Sequence, residues 1–71
     1  MNINNAASEL LKDLKSKYPN IYGGGILRNG ILSSGMDPGR IVIMFKENSA
    51  IPTENLPEEY EGHKVVYFNS L

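Results

Sequence analysis

Apolar residues near the start of the chain recur at helical spacing. Ala7, Leu10, Leu11, Leu14 and Tyr18 follow a 3-1-3-4 pattern, which puts them on one face and predicts an amphipathic helix over residues 5–18. Asn4 or Asn5 is positioned to cap its first turn by accepting a backbone N–H. Lys12, Lys15 and Lys17 gather toward its end, where positive charge suits the helix dipole. Asp13 precedes Lys17 by one turn in the favourable order. Pro19 stops the helix, because a residue before proline avoids helical backbone angles.

Beyond Pro19 the pattern changes to that of strands. Ile26-Leu27-Arg28 and Ile31-Leu32-Ser33 flank Asn29-Gly30, a pair suited to the positive φ angles of a two-residue type I′ turn. The expectation is a hairpin over residues 20–34, with Arg28 opposite Ile31 and Leu27 opposite Leu32. Ser34 to Gly39 reads as a loop closed by a Pro-Gly turn. Arg40-Ile41-Val42-Ile43-Met44-Phe45-Lys46 holds five consecutive apolar residues between basic ends, as expected of a strand covered on both faces or central in its sheet. Residues 47–62 show no strong element. Pro52 and Pro57 oppose both helix and ladder, and Glu58-Glu59-Tyr60-Glu61 suits one helical turn after Pro57. Gly62 then releases the chain into a last strand, His63 to Phe68. The predicted fold is a single α+β domain over residues 1–71, with one N-terminal helix packed on a small three- to four-stranded, mainly antiparallel sheet in α-β-β-β order.

Composition narrows the chemistry. The 71 residues include no cysteine and one histidine, which removes disulfides, thiolate nucleophiles and Cys-based zinc sites. A chain this short buries only about 60% of the surface its unfolded form exposes, so its core is thin and self-association would help it. No apolar run approaches the roughly 18 residues of a membrane span, so no membrane partner is expected. The first residues are asparagine-rich, without the basic-then-apolar order of a secretory leader. Together these features point to the cytoplasm.

Seven basic and eight acidic residues give a net charge of −1, which argues against a general nucleic-acid binder. The charge is uneven: residues 1–46 hold six basic and three acidic groups, and residues 47–71 hold one and five. Such halves attract one another within a fold, or steer a partner from outside it.

Each feature with chemical potential has a structural counterpart. Gly23-Gly24-Gly25 offers backbone N–H groups to a ligand, but it lacks the third glycine of a dinucleotide loop and the Lys-Ser/Thr of a phosphate loop. It equally suits a bulge, or a close approach of helix to sheet. His63, with Glu59 or Glu61 and a serine, has the residue types of a nucleophile–base–acid set. The Gly-x-Ser-x-Gly elbow that would present the serine is absent, Ser33-Ser34-Gly35 being the nearest match. Glu58, Glu59 and Glu61 lack the spacing of a calcium loop, so no metal or other cofactor is expected. The tyrosines and phenylalanines suit base stacking or completion of the core, and Arg28 and Arg40 suit contact with RNA.

Two features favour a protein partner or a second copy of the chain. Residues 47–57 form a long proline-stiffened connection, with Ile51, Pro52, Thr53, Glu54, Asn55, Leu56 and Pro57 as a segment able to enter a partner's cleft, in the manner of an enzyme inhibitor's loop. Sheet edges offer a second docking mode. The expectation is therefore an interaction module that is not an enzyme. The alternative is a small ligand-binding domain or enzyme using Gly23, Gly24, Gly25 and His63, which leaves a small molecule open as ligand.

Three segments also carry a likeness: Tyr18-Pro19-Asn20-Ile21-Tyr22-Gly23-Gly24-Gly25, then Ile41 to Lys46, then Leu56-Pro57-x-x-Tyr60-x-Gly62-x-x-Val65-Val66. Over about residues 18–67 the chain resembles the small α/β module found alone, or beside trypsin-like peptidase domains, in bacterial proteins. That module opens on His-Pro-Asn-Val and a glycine-rich strand, and later carries Leu-Pro-x-x-Ile-x-Gly-x-x-Val. Here Tyr18 stands in place of the histidine and Tyr60 in place of the aliphatic residue. The resemblance implies an accessory domain and brings no catalytic residue with it.

Overall fold

A computed structural model describes residues 1–32 and 35–71. Helix α1 spans Ile3–Lys17. It starts two residues before the expected point, because Ile3 and Ala6 extend the apolar stripe of Ala7, Leu10 and Leu14. Asn2, and not Asn4 or Asn5, is the cap: its side-chain oxygen accepts the Asn5 N–H at 2.8 Å. The Tyr18 N–H closes the other end on the Leu14 carbonyl, and Tyr18 turns to extended backbone ahead of Pro19. Lys17 meets Asp13 at 3.4 Å, an exposed pair worth less than about 1 kcal/mol.

The sheet contains β1 (Ile21–Leu27), β4 (Arg40–Phe45), β5 (Glu59–Tyr60) and β6 (His63–Asn69) in the order β1-β4-β6-β5. A separate two-stranded ribbon joins β2 (Ile31–Leu32) to β3 (Gly35–Met36). The α+β class and the single N-terminal helix are as expected. The sheet is mixed, since β4 runs antiparallel to β1 but parallel to β6. A parallel neighbour requires a crossover, and residues 46–58 supply it.

The expected hairpin at Asn29-Gly30 does not form. Leu27 pairs with Arg40, and Ile31 pairs with Met36. The cause is Asp37. Its buried carboxylate accepts the Asn29 N–H at 2.7 Å and the Gly39 N–H at 3.0 Å, while its own N–H donates to the Gly30 carbonyl at 2.8 Å. The two strands of the expected hairpin are thereby held apart as the neck of a longer excursion. The hydrogen bonds from Gly39 and Asn29, then the charges of Arg40 and Arg28, hold the Asp37 carboxyl below its usual range. The Ser33 and Ser34 part of the expected strand and loop lies outside the described residues.

The helical turn expected at residues 58–61 is also replaced. Glu59–Tyr60 pairs with His63–Lys64 across a two-residue turn. Glu61 (φ 51°) and Gly62 (φ 80°) take the left-handed angles of a type I′ turn, so a tight hairpin forms here, where none was expected.

The core lies between α1 and one face of the sheet. Leu10, Ile41, Ile43 and Phe45 are its most completely buried large side chains, and the Tyr18 ring meets Phe45 edge-on at 6.4 Å. The crossover covers this same face, with Leu56 inside the core and Ile51 packed against it. The smallest dimension of the molecule, 19 Å, matches one helix layer on one sheet layer, roughly 10 Å apart.

Candidate functional site

With helix and crossover on one side, the other side of the sheet has no cover within the described residues. Strand periodicity sends Val42 and Met44 of β4, and Val66 and Phe68 of β6, away from the core. Phe68 is 47% exposed. On β1 the same surface carries Tyr22 and Leu27, 65% and 41% exposed. A shallow groove of about 370 Å³ runs between Tyr22, Leu27, Val42 and Met44, with the three glycines along its floor.

The glycines divide into two kinds. A β-carbon on Gly24 would come within 2.7 Å of the Val42 carbonyl, on the side where Leu11 and Ile43 lie. The tight contact is with the neighbouring strand β4, Leu11 of the helix lying at an ordinary 3.5 Å, and the register shift between Ile21 and Gly23 is the bulge. Gly23 and Gly25 differ: a β-carbon on either meets nothing within 4 Å, and neither has a positive φ. The fold of one chain therefore does not require glycine at these two positions. Each weakens a strand by about 0.5–1 kcal/mol relative to alanine, and such glycines mark places where another backbone or side chain comes close.

His63 is not part of this surface. It opens β6 opposite Tyr60, and its Nε2 lies 2.9 Å from the Met1 carbonyl; a carbonyl only accepts, so this nitrogen carries the proton. Strand β4 separates β6 from β1. In strand alternation His63 shares the side of Val65, whereas Gly23 and Gly25 open to the opposite side. The ligand-binding alternative thus names residues on two sides of one sheet.

The 47–57 segment is the crossover between β4 and β6, and it is stapled down. The Asn69 amide donates to the Lys46 carbonyl at 3.1 Å and the Ser49 carbonyl at 2.7 Å. The Tyr67 hydroxyl donates to the Pro57 carbonyl. Burial pushes the Tyr67 phenol up to about 12. Leu56 is buried, Ile51, Pro52 and Pro57 are half-buried, and Thr53, Glu54 and Asn55 form an exposed 3₁₀ turn. A second cleft of about 370 Å³ lies between this segment and the end of α1, lined by Tyr18, Phe45, Ile51 and Pro52 among others.

The other aromatic and charged candidates are also placed. Tyr18, Phe45, Tyr60 and Tyr67 pack in or against the core, so of the six aromatic residues only Tyr22 and Phe68 are left for stacking. Tyr60 donates to the Glu9 carboxylate at 2.8 Å, tying the β5–β6 hairpin to α1; that hydrogen bond first, then desolvation, pushes its phenol up to about 12. Arg28 and Arg40 both act on Asp37, which offsets part of their charge. Among the described residues no cluster of three metal-ligating side chains occurs, and no helix is long and apolar enough to cross a membrane.

Sequence reasoning did not single out the Val42, Met44, Val66 and Phe68 surface. A signal was present: a strand covered on both faces needs two layers, and the helical pattern supplies one. Comparison with known proteins adds nothing to this geometry, since no family model, curated protein or solved structure matches the chain.

Proposed function

We propose that this chain is a non-enzymatic bacterial protein that works in the cytoplasm by binding another polypeptide, through the uncovered sheet face and the adjoining β1 edge. The observation that carries this reading is the coincidence of two features on one surface. Apolar side chains stand exposed there, and the two glycines that the fold does not require lie between them. Contiguous apolar patches of this kind mark protein interaction sites. The free edge of β1 adds unpaired backbone groups for strand addition; on the other side of the sheet β5 pairs only with the start of β6, at His63 and Lys64.

The test is capture from source lysate by tagged full-length protein, comparing Val42→Asp, on the open face, with Glu54→Ala, on the crossover tip. Circular dichroism confirms that both variants fold. Loss of a stoichiometric partner in Val42→Asp alone is expected. Loss in Glu54→Ala alone would transfer the function to the 47–57 segment. A small molecule whose affinity falls on His63→Ala, with the fold intact, would replace the interaction reading altogether.

A further inference from the structure

We infer that the occupant of the open sheet face is a second copy of this chain, packed face to face as a two-fold dimer; this deepens the interaction reading above and rests on it. The first argument is area. A compact monomer of 7.9 kDa exposes about 4,400 Å². This chain exposes 4914 Å², about 500 Å² more than that scaling gives. Two open faces that each gave up about this much area would bury about 1,000 Å², the lower bound of a specific interface.

The second argument is shape, read from the strand registers. Gly25 pairs with Val42, and Val42 with Val66. Gly23 pairs with Met44, and Met44 with Phe68. Each row across the open face therefore runs from an empty position on β1 to apolar side chains on β4 and β6, of which Phe68 is the most exposed. A two-fold axis along β4, midway between two facing sheets, lays β1 of one copy over β6 of the other and keeps each row opposite itself. Phe68 then enters the space over the partner copy's Gly23, and Val66 the space over its Gly25. Val42 and Met44 meet their own counterparts on the axis. The surface is self-complementary, as an isologous contact requires, and the facing sheets interdigitate at about 10 Å. Leu27, Arg40 and Lys64 form the next row, at the rim, where long basic side chains cover apolar surface and keep their charges in water. This arrangement gives the two unexplained glycines a role: they are the sockets for the partner's side chains.

Sedimentation equilibrium on the full chain tests the assignment. The wild type is expected to sediment as two chains at about 100 μM and to dissociate on dilution, as suits an interface of this size. Gly23→Leu fills a socket that is empty in one chain, so it leaves the fold intact, as circular dichroism checks. It is expected to raise the dissociation constant about tenfold or more. Phe68→Ala removes the matching projection and is expected to act similarly. The double variant Gly23→Leu with Phe68→Ala moves the projection from β6 to β1, and is expected to dimerise more tightly than Gly23→Leu alone. Additive losses in the double variant would overturn the geometry. A wild type that remains monomeric at about 100 μM, where an interface of this size should assemble, would overturn the second copy as occupant. In that case, capture of another protein that is lost in Val42→Asp would still support the broader interaction reading.

Discussion

Ile41, Ile43 and Phe45 on one side of β4, and Val42 and Met44 on the other, come from a single run of five apolar residues. The first three are 1% exposed or less, under α1 and the crossover. The other two are half-buried, beside Phe68 and the glycine groove. The residue types barely differ between the two sides, so hydrophobicity does not decide which side is covered. The number of layers does. One helix and one crossover segment are enough to cover one face, and the chain places both on the same one. Apolar residues on the second face then lack a cover among the described residues, and that face becomes the surface with most to gain from a partner.

The contrast is sharpest in paired substitutions. Phe45→Ala is expected to lower folding stability by about 3–5 kcal/mol. Phe68→Ala, at dilutions where the chain is monomeric, should change it by less than about 1 kcal/mol. Urea denaturation measures both, and equal losses would mean that the open face is covered within one chain. A smaller, more local contrast separates neighbouring glycines. Gly24→Val forces a branched side chain against the Val42 carbonyl and is expected to cost about 1–3 kcal/mol. At the same dilution, where the chain is monomeric, Gly25→Val enters open space in a strand and is expected to be neutral or to stabilise by about 0.5–1 kcal/mol. Matching effects at the two positions would break the division of the glycines into required and unrequired.

The last contrast is a pH dependence on the covered side. The Tyr67 phenol is raised from 10.0 to about 12 by burial. The folded chain therefore holds this proton more tightly than the unfolded chain does. The associated stability is complete below pH 10.0 and is lost as pH rises toward about 12. Denaturation midpoints taken across that window should fall in the wild type and fall less in Tyr67→Phe. Identical slopes would mean that Tyr67 is not the group responsible.

Much of the covered side was legible in the residues. The 3-1-3-4 stripe and Pro19 define α1 because helix boundaries are local, and the apolar run at Ile41–Phe45 marks a central strand because nothing else accommodates it. The miss at Asn29-Gly30 has a specific cause. Asp37, several residues away, takes the Asn29 N–H, and a turn motif carries no information about such a competitor. Glu61-Gly62 was hard to read for the opposite reason: glutamate seldom adopts a positive φ, and only pairing with β6 makes it do so. The candidate surface was least legible. Val42 and Met44 look like core until the crossover is seen to fall on the side of α1, and the unrequired glycines stand out only once the space around them is known.

The parallel pairing of β4 with β6 also governs the order in which the fold can assemble. Helix α1, β1 and β4 are close in sequence and can meet early, but the other edge of β4 stays unsatisfied until β6, the last strand in chain order, arrives across the crossover. Such non-local pairing is slow to close. Until it closes, Ile41–Phe45 presents an apolar strand with one bare edge, the kind of template that draws other chains into misassembly. The native dimer would use the face of this sheet, whereas the nascent chain is most vulnerable along the edge of the same central strand.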